Sequence, residues 1–238
     1  MSTTGAAAQE WEAVRRKVLR DALGIAVAVS SYGISYGAIG SASRLSVAQT
    51  CALSVLAFTG GSQFALVGVL ASGGSPASGT ATALLLGSRN TMYGLRLAPT
   101  LQVRGLRRAL AAQFVIDEST AMAIRHRDER VARLAFWTTG LSIFVLWNVA
   151  TLVGALGASA LGNPSRFGLD AAVGAAFLAL LWPRLADPVA RVVALGGAAV
   201  ALLLTPFLTP GVPVLAAGLV AVAFGLWPSV VARPEAAR

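Results

Sequence analysis

Three short polar clusters interrupt an otherwise apolar chain, and they hold the residues able to do chemistry. They are Gly60-Gly61-Ser62-Gln63, Arg89-Asn90 and Asp117-Glu118-Ser119. A guanidinium such as that of Arg89 clamps a carboxylate through two parallel hydrogen bonds. Carboxylates at membrane depth mark proton and substrate paths. Adjacent glycines let a backbone leave the helical path, which hydrocarbon tolerates only where the freed groups are buried in protein or line a cavity. Transporters bind solutes at such breaks. Together the clusters read as a site that binds a small zwitterion and moves a proton. Two plainer readings compete. Gly60 and Gly61 would only admit a neighbouring helix, and Arg89 with Asp117 or Glu118 would form a structural ion pair.

Nothing in the residues points to an enzyme. His126 is the only histidine and lies in a basic stretch, and the single cysteine, Cys51, sits inside an apolar run. No phosphate-binding glycine loop follows a strand, and no Cys/His spacing suits a metal. No cofactor is expected.

The elements that must position these clusters are membrane helices. Of 238 residues 56% are hydrophobic and 12% are charged, and the mean hydropathy is +0.71. Soluble domains carry about 25% charged residues, and apolar runs of about 20 residues recur here, the membrane-span signal. The expected fold is an all-α integral membrane bundle of about seven to eight transmembrane helices, some broken near Gly60-Gly61 and Asp117-Glu118. One domain covers 21–231, flanked by cytoplasmic tails at 1–20 and 232–238. Residues 1–8 lack periodicity and read as disordered. Trp11, Val14, Val18 and Leu19 share a helical face, with Arg15, Arg16 and Lys17 between them. This suits either a short helix on the membrane surface or an ordinary charged helix end.

The runs place spans at 21–43, 47–71, 79–99, 132–157, 168–183, 188–207 and 211–231. Residues 107–124 either span or re-enter. The first run has no Ala-x-Ala site at its end and reads as a retained span. Ser30, Ser31, Tyr32, Gly33, Ser35, Tyr36 and Gly37 in that span mark a helix packed on others or lining a path. An arginine at the depth of Arg89 costs about 2.5–3.5 kcal/mol on insertion scales. Trp182 and Trp227 sit near span ends, where aromatic belts form.

The formal charge is +9. Its basic residues cluster between apolar runs, as topology signals rather than as a nucleic-acid surface. Eight crossings with the N-terminus inside put 12 basic residues in inner loops and 5 in outer ones, namely Arg44, Arg104, Arg107, Arg108 and Arg166. That bias favours both termini inside.

Phe-Thr-Gly-Gly-Ser-Gln-Phe at 58–64, Ser88-Arg89-Asn90 with Tyr93-Gly94 and Leu97-Ala98-Pro99, and Asp117-Glu118-Ser119 resemble the AzlC family. These are large subunits of bacterial branched-chain amino acid exporters, and the resemblance runs in order over about residues 20–230. The family usually carries asparagine two residues before the arginine; Gly87 stands there, and Asn90 follows Arg89 instead. Thr59 replaces the usual alanine. The resemblance implies a permease of the cytoplasmic membrane that exports valine, leucine, isoleucine or similar amino acids on the proton motive force. It implies a small AzlD-like membrane subunit as partner. The substrate-contact set is then Gly60, Gly61, Ser62, Gln63, Phe64, Arg89, Asn90 and Tyr93, with Asp117 and Glu118 for proton coupling and Phe58 or Met92 as further apolar wall. A channel-like facilitator and a non-transporting scaffold are the alternatives.

Overall fold

Helices connected by short turns make up the structure, a computed structural model that describes residues 3–43, 45–160, 178 and 181–225. No strand occurs among the described residues. Among the described residues two helices are long and apolar enough to cross a membrane: α1, Thr3–Ala42, and α8, Glu129–Ala160. They pack along each other and form the spine. Glycines set how closely they approach. A Cβ on Gly37 would collide with the Thr151 carbonyl oxygen, and one on Gly154 with that of Ile34. Backbone contact of this kind is how membrane helices gain packing without a hydrophobic drive between them.

The stretch Gln9–Arg20 is no separate surface helix. It is the first part of α1, which starts at Thr3 and runs unbroken because no breaker separates Arg20 from Asp21. The expected disorder of residues 1–8 is likewise replaced by helix from Thr3 onward. Val18 is buried with Met122, Val131 and Ala135, and Trp11 and Val14 pack against this cluster. The Arg130 guanidinium lies 3.6 Å from the Trp11 ring centre, a cation–π contact.

The second run is divided as expected, into α2, Val47–Leu56, and α3, Gly61–Ala71. The third is also divided, which its sequence did not announce. It gives α4, Pro76–Gly87, and α5, Arg89–Leu101, with Ser88 between them. The ambiguous segment forms α6, Leu106–Gln113, and α7, Asp117–Ile124. At 1.5 Å per residue each of these last two is about 12 Å long, well short of a bilayer's hydrocarbon thickness of about 30 Å. Beyond α8 lie a 3₁₀ turn, Trp182–Ala186, then α9, Pro188–Leu204, and α10, Val212–Gly225. Helices α9 and α10 pack together, and α10 touches α4. Arg44, the body of the span at 168–183 with Arg166, Trp227, and the tail with Arg233 and Arg238 lie outside the described residues.

The core surrounds Tyr36, Phe58, Phe64, Ile116, Ile143 and Trp147. The outer surface is apolar as well: Leu23 and Val27 on α1 and Leu141, Val145, Val149 and Val153 on α8 are exposed. A surface of bare leucines and valines is unfavourable in water and natural in hydrocarbon. Inside, small polar side chains join helices, as where Ser54 Oγ and Thr151 Oγ1 meet at 3.2 Å between α2 and α8.

Candidate solute-binding site

Each polar cluster opens a helix just after a break. Gly60 adopts φ +63°, which an L side chain rarely takes, and so turns the chain out of α2 and into α3. The break exposes backbone groups that must find partners. Gln63 supplies several. Its Oε1 accepts from the Gly60 N–H at 3.2 Å, and its Nε2 donates to the Ser54 carbonyl at 3.2 Å and the Leu53 carbonyl at 3.4 Å. Gln113 Nε2 donates to the Val55 carbonyl at 2.7 Å from the end of α6. Two glutamines thus cover the carbonyls where α2 stops. At the break before α7 a serine does the same work. The Ser119 hydroxyl accepts from the Ile116 N–H at 3.2 Å and donates to the Phe114 carbonyl.

Three helix starts therefore meet: α3 at Gly61, α5 at Arg89 and α7 at Asp117. Arg89 Nη2 lies 2.8 Å from Asp117 Oδ2, with both side chains about one-third exposed. The Tyr93 hydroxyl donates to Asp117 Oδ1 at 2.7 Å. A second cation, Arg184, reaches to 3.8 Å from Oδ1 out of the 3₁₀ turn. Arg89 also passes close to the broken backbone, since a Cβ on Gly61 would lie 3.4 Å from Arg89 Nη2.

Around this ion pair lies a cavity of about 160 Å³. Its polar lining is Thr59, Gly60, Gly61, Arg89, Asp117, Glu118 and Arg184, and Phe58, Phe64, Tyr32 and Trp147 supply aromatic wall. The volume is below the roughly 300–1,000 Å³ of drug-sized sites, so it suits a solute of few atoms. The start of α3 adds partial positive charge there, as helix N-termini do. The cavity offers cations and helix starts to a carboxylate, Asp117 and Glu118 to an ammonium, and rings to an apolar side chain.

Six of the ten sequence candidates line this cavity: Gly60, Gly61, Phe64, Arg89, Asp117 and Glu118. Tyr93 is joined to it through Asp117. Gln63, Ser62 and Asn90 are not in its wall. Gln63 is buried within the break, and the Ser62 hydroxyl faces Gly87, where a Cβ would lie 3.2 Å away. Asn90 lines a second, larger cavity between α5 and α6. Of the two further wall candidates, Phe58 takes part and Met92 points outward, exposed. Sequence reasoning missed Arg184, Trp147 and Gln113 as parts of the site or its frame. Only Gln113 carried a signal, as a polar residue closing an apolar segment just before a break.

The family model for the AzlC protein matches residues 24–161. The chain belongs to the AzlC family. The match takes in α2 to α8 and, of α1, the part from residue 24 onward, hence every cavity residue named above except Arg184. AzlC membership makes this a membrane protein with a transport-related role. No curated protein and no solved structure matches the chain. Among the described residues no group of His, Cys, Asp and Glu could hold a metal ion.

Proposed function

We propose that this AzlC protein is the permease subunit of a two-component exporter of branched-chain or similarly small apolar amino acids. It would act in the bacterial cytoplasmic membrane, be driven by the proton motive force and be paired with a small AzlD-like subunit. The observation that carries the reading is the cavity itself. Where broken helices meet, Arg89, Asp117 and Glu118 stand beside Phe58, Phe64 and Trp147. A zwitterion with an apolar side chain matches all three properties of that wall. Its carboxylate takes the Arg89 guanidinium, its ammonium takes a carboxylate, and its side chain lies against the rings.

The two acids then divide the work. Asp117 is held by Arg89 and Tyr93, so it orients Arg89. Glu118 lines the same cavity, and among the described residues it has no ion-pair partner. It is the better carrier of the coupling proton.

A second reading, an ion pair that only ties α5 to α7, is favoured by the 2.8 Å contact. The experiment is amino acid efflux from cells fed dipeptides, with the chain and its AzlD-type partner present or absent. Export predicts saturable efflux that an uncoupler stops. A facilitator predicts efflux that ignores the uncoupler, and a scaffold predicts none.

A further inference from the structure

Arg184 stands apart from the residues above. It comes from a separate element, the single turn Trp182–Ala186, and lies beyond the family match. It lines the same cavity as Arg89 but further out, its side chain 62% exposed against 32%. Asp117 is its one carboxylate neighbour within 4.0 Å among the described residues. At 3.8 Å and this exposure the contact adds little stability, so bracing the fold does not explain the placement.

We propose that Arg184 is a stand-by cation for Asp117. It takes over that carboxylate when Arg89 turns to a solute carboxylate, and its charge draws carboxylate-bearing solutes to the cavity mouth. The inference rests on the export reading above. The two carboxylate oxygens are already divided in the way this needs. Oδ2 faces Arg89, and Oδ1 faces Tyr93 and Arg184. If Arg89 left Asp117, a half-buried carboxylate would lose its main partner, which is strongly unfavourable. Arg184 would need to come only about 1 Å nearer to match the present Arg89 distance. The exchange keeps the charge balance constant while the solute carboxylate enters.

Two measurements on the full chain in detergent test this without requiring transport. The first places a reporter, Thr59→Cys, in a Cys51→Ala background. Its labelling rates with a sulfonate-bearing and a trimethylammonium-bearing thiol reagent are compared. Arg184→Gln is expected to lower the anion-to-cation rate ratio at least about threefold, a modest Coulomb effect at the cavity mouth, while Arg184→Lys leaves it near the parent value. An unchanged ratio in Arg184→Gln overturns the proposal. The second is thermal stability. Arg184→Gln should cost little alone, more in an Arg89→Gln background and nothing in Asp117→Asn. Equal effects in all three backgrounds overturn the hand-over. If Arg89→Gln does not fold, the labelling ratio decides. Coupling found in a chain that exports nothing would sink the export reading and leave Arg184 in its place; export without the coupling would do the reverse.

Discussion

Arg89 and Asp117 lie 2.8 Å apart, although each begins its own helix after its own break. Neither charge was placed by a continuous span. Both sit where helix starts converge, so the ion pair joins the starts of α5 and α7 at the cavity wall. Such a contact serves either as a lock or as a site, and substitutions separate the two.

Arg89→Lys keeps the charge and loses the planar fork. Bidentate recognition of a carboxylate then fails, and efflux should drop about tenfold or more, the loss expected for a charge-assisted hydrogen bond. The amount of protein in the membrane should stay at the parent level. If Arg89→Ala abolishes insertion and Asp117→Ala restores it, the pair is a lock and not a site. That rescue is read directly from membrane-fraction immunoblots.

The two acids should differ when neutralised. Glu118→Gln is expected to remove uphill efflux while solute exchange down a gradient persists, since the coupling proton has lost its carrier. Asp117→Asn should weaken both, because Arg89 loses its partner and Tyr93 its charged acceptor. Flux with and without an uncoupler, at two solute gradients, distinguishes them. Equal behaviour of the two variants would refute the division of roles.

Gln63 makes a different kind of prediction, for it belongs to the frame and not to the wall. Gln63→Leu leaves the Gly60 N–H and the Ser54 carbonyl without their side-chain partners at a buried break. The cost should be about 2 kcal/mol or more, from about 1–3 kcal/mol for each buried group left unpaired. Thermal unfolding in detergent would show this as a lowered midpoint. Folded Gln63→Leu protein should retain the parent solute concentration at half-maximal efflux. A change in that concentration without loss of stability would return Gln63 to the solute.

The breaks were legible in the sequence because each puts groups into an apolar run that a lipid-facing helix has no use for. Gly60-Gly61 and Asp117-Glu118 are such groups, and both mark helix starts. The interruption at Ser88 was not legible. Its φ −56° and ψ −28° are helical values open to any residue, so nothing in the residue type announces it. Arg184 was hidden for another reason. It counts as one more loop arginine until the fold carries its turn back to Asp117. Their types alone point Gln63 and Ser62 at the solute, because polar residues near a break are the natural ligands there. The backbone's own need for partners claimed Gln63 first. The charges of Gln9–Arg20 fit a membrane surface and an ordinary charged helix end alike, and the fold takes the second, packing Trp11 and Val14 beside Met122 and Val131.

The two glycines of the first break should respond in opposite ways to the same methyl group. Gly60 holds φ +63° with nothing within 4 Å of a built Cβ, so Gly60→Ala is opposed by backbone strain alone. That strain should cost about 1–3 kcal/mol, and the thermal midpoint should fall accordingly. Gly61 has a φ that any residue accepts, and its Cβ would meet Arg89 Nη2 at 3.4 Å and Leu86 at 3.6 Å, ordinary contact distances. Gly61→Ala should therefore fold with nearly parent stability. The added methyl sits in the cavity wall, against the guanidinium that is to hold the carboxylate. It narrows the approach to Arg89. Efflux should fall severalfold at unchanged stability, and more for isoleucine or leucine than for alanine, since the smaller solute needs less of the same space. Efflux rates for the three amino acids in Gly61→Ala and the parent measure this directly. A uniform loss across all three, with a lowered midpoint, would show that Gly61 serves helix packing and not the solute.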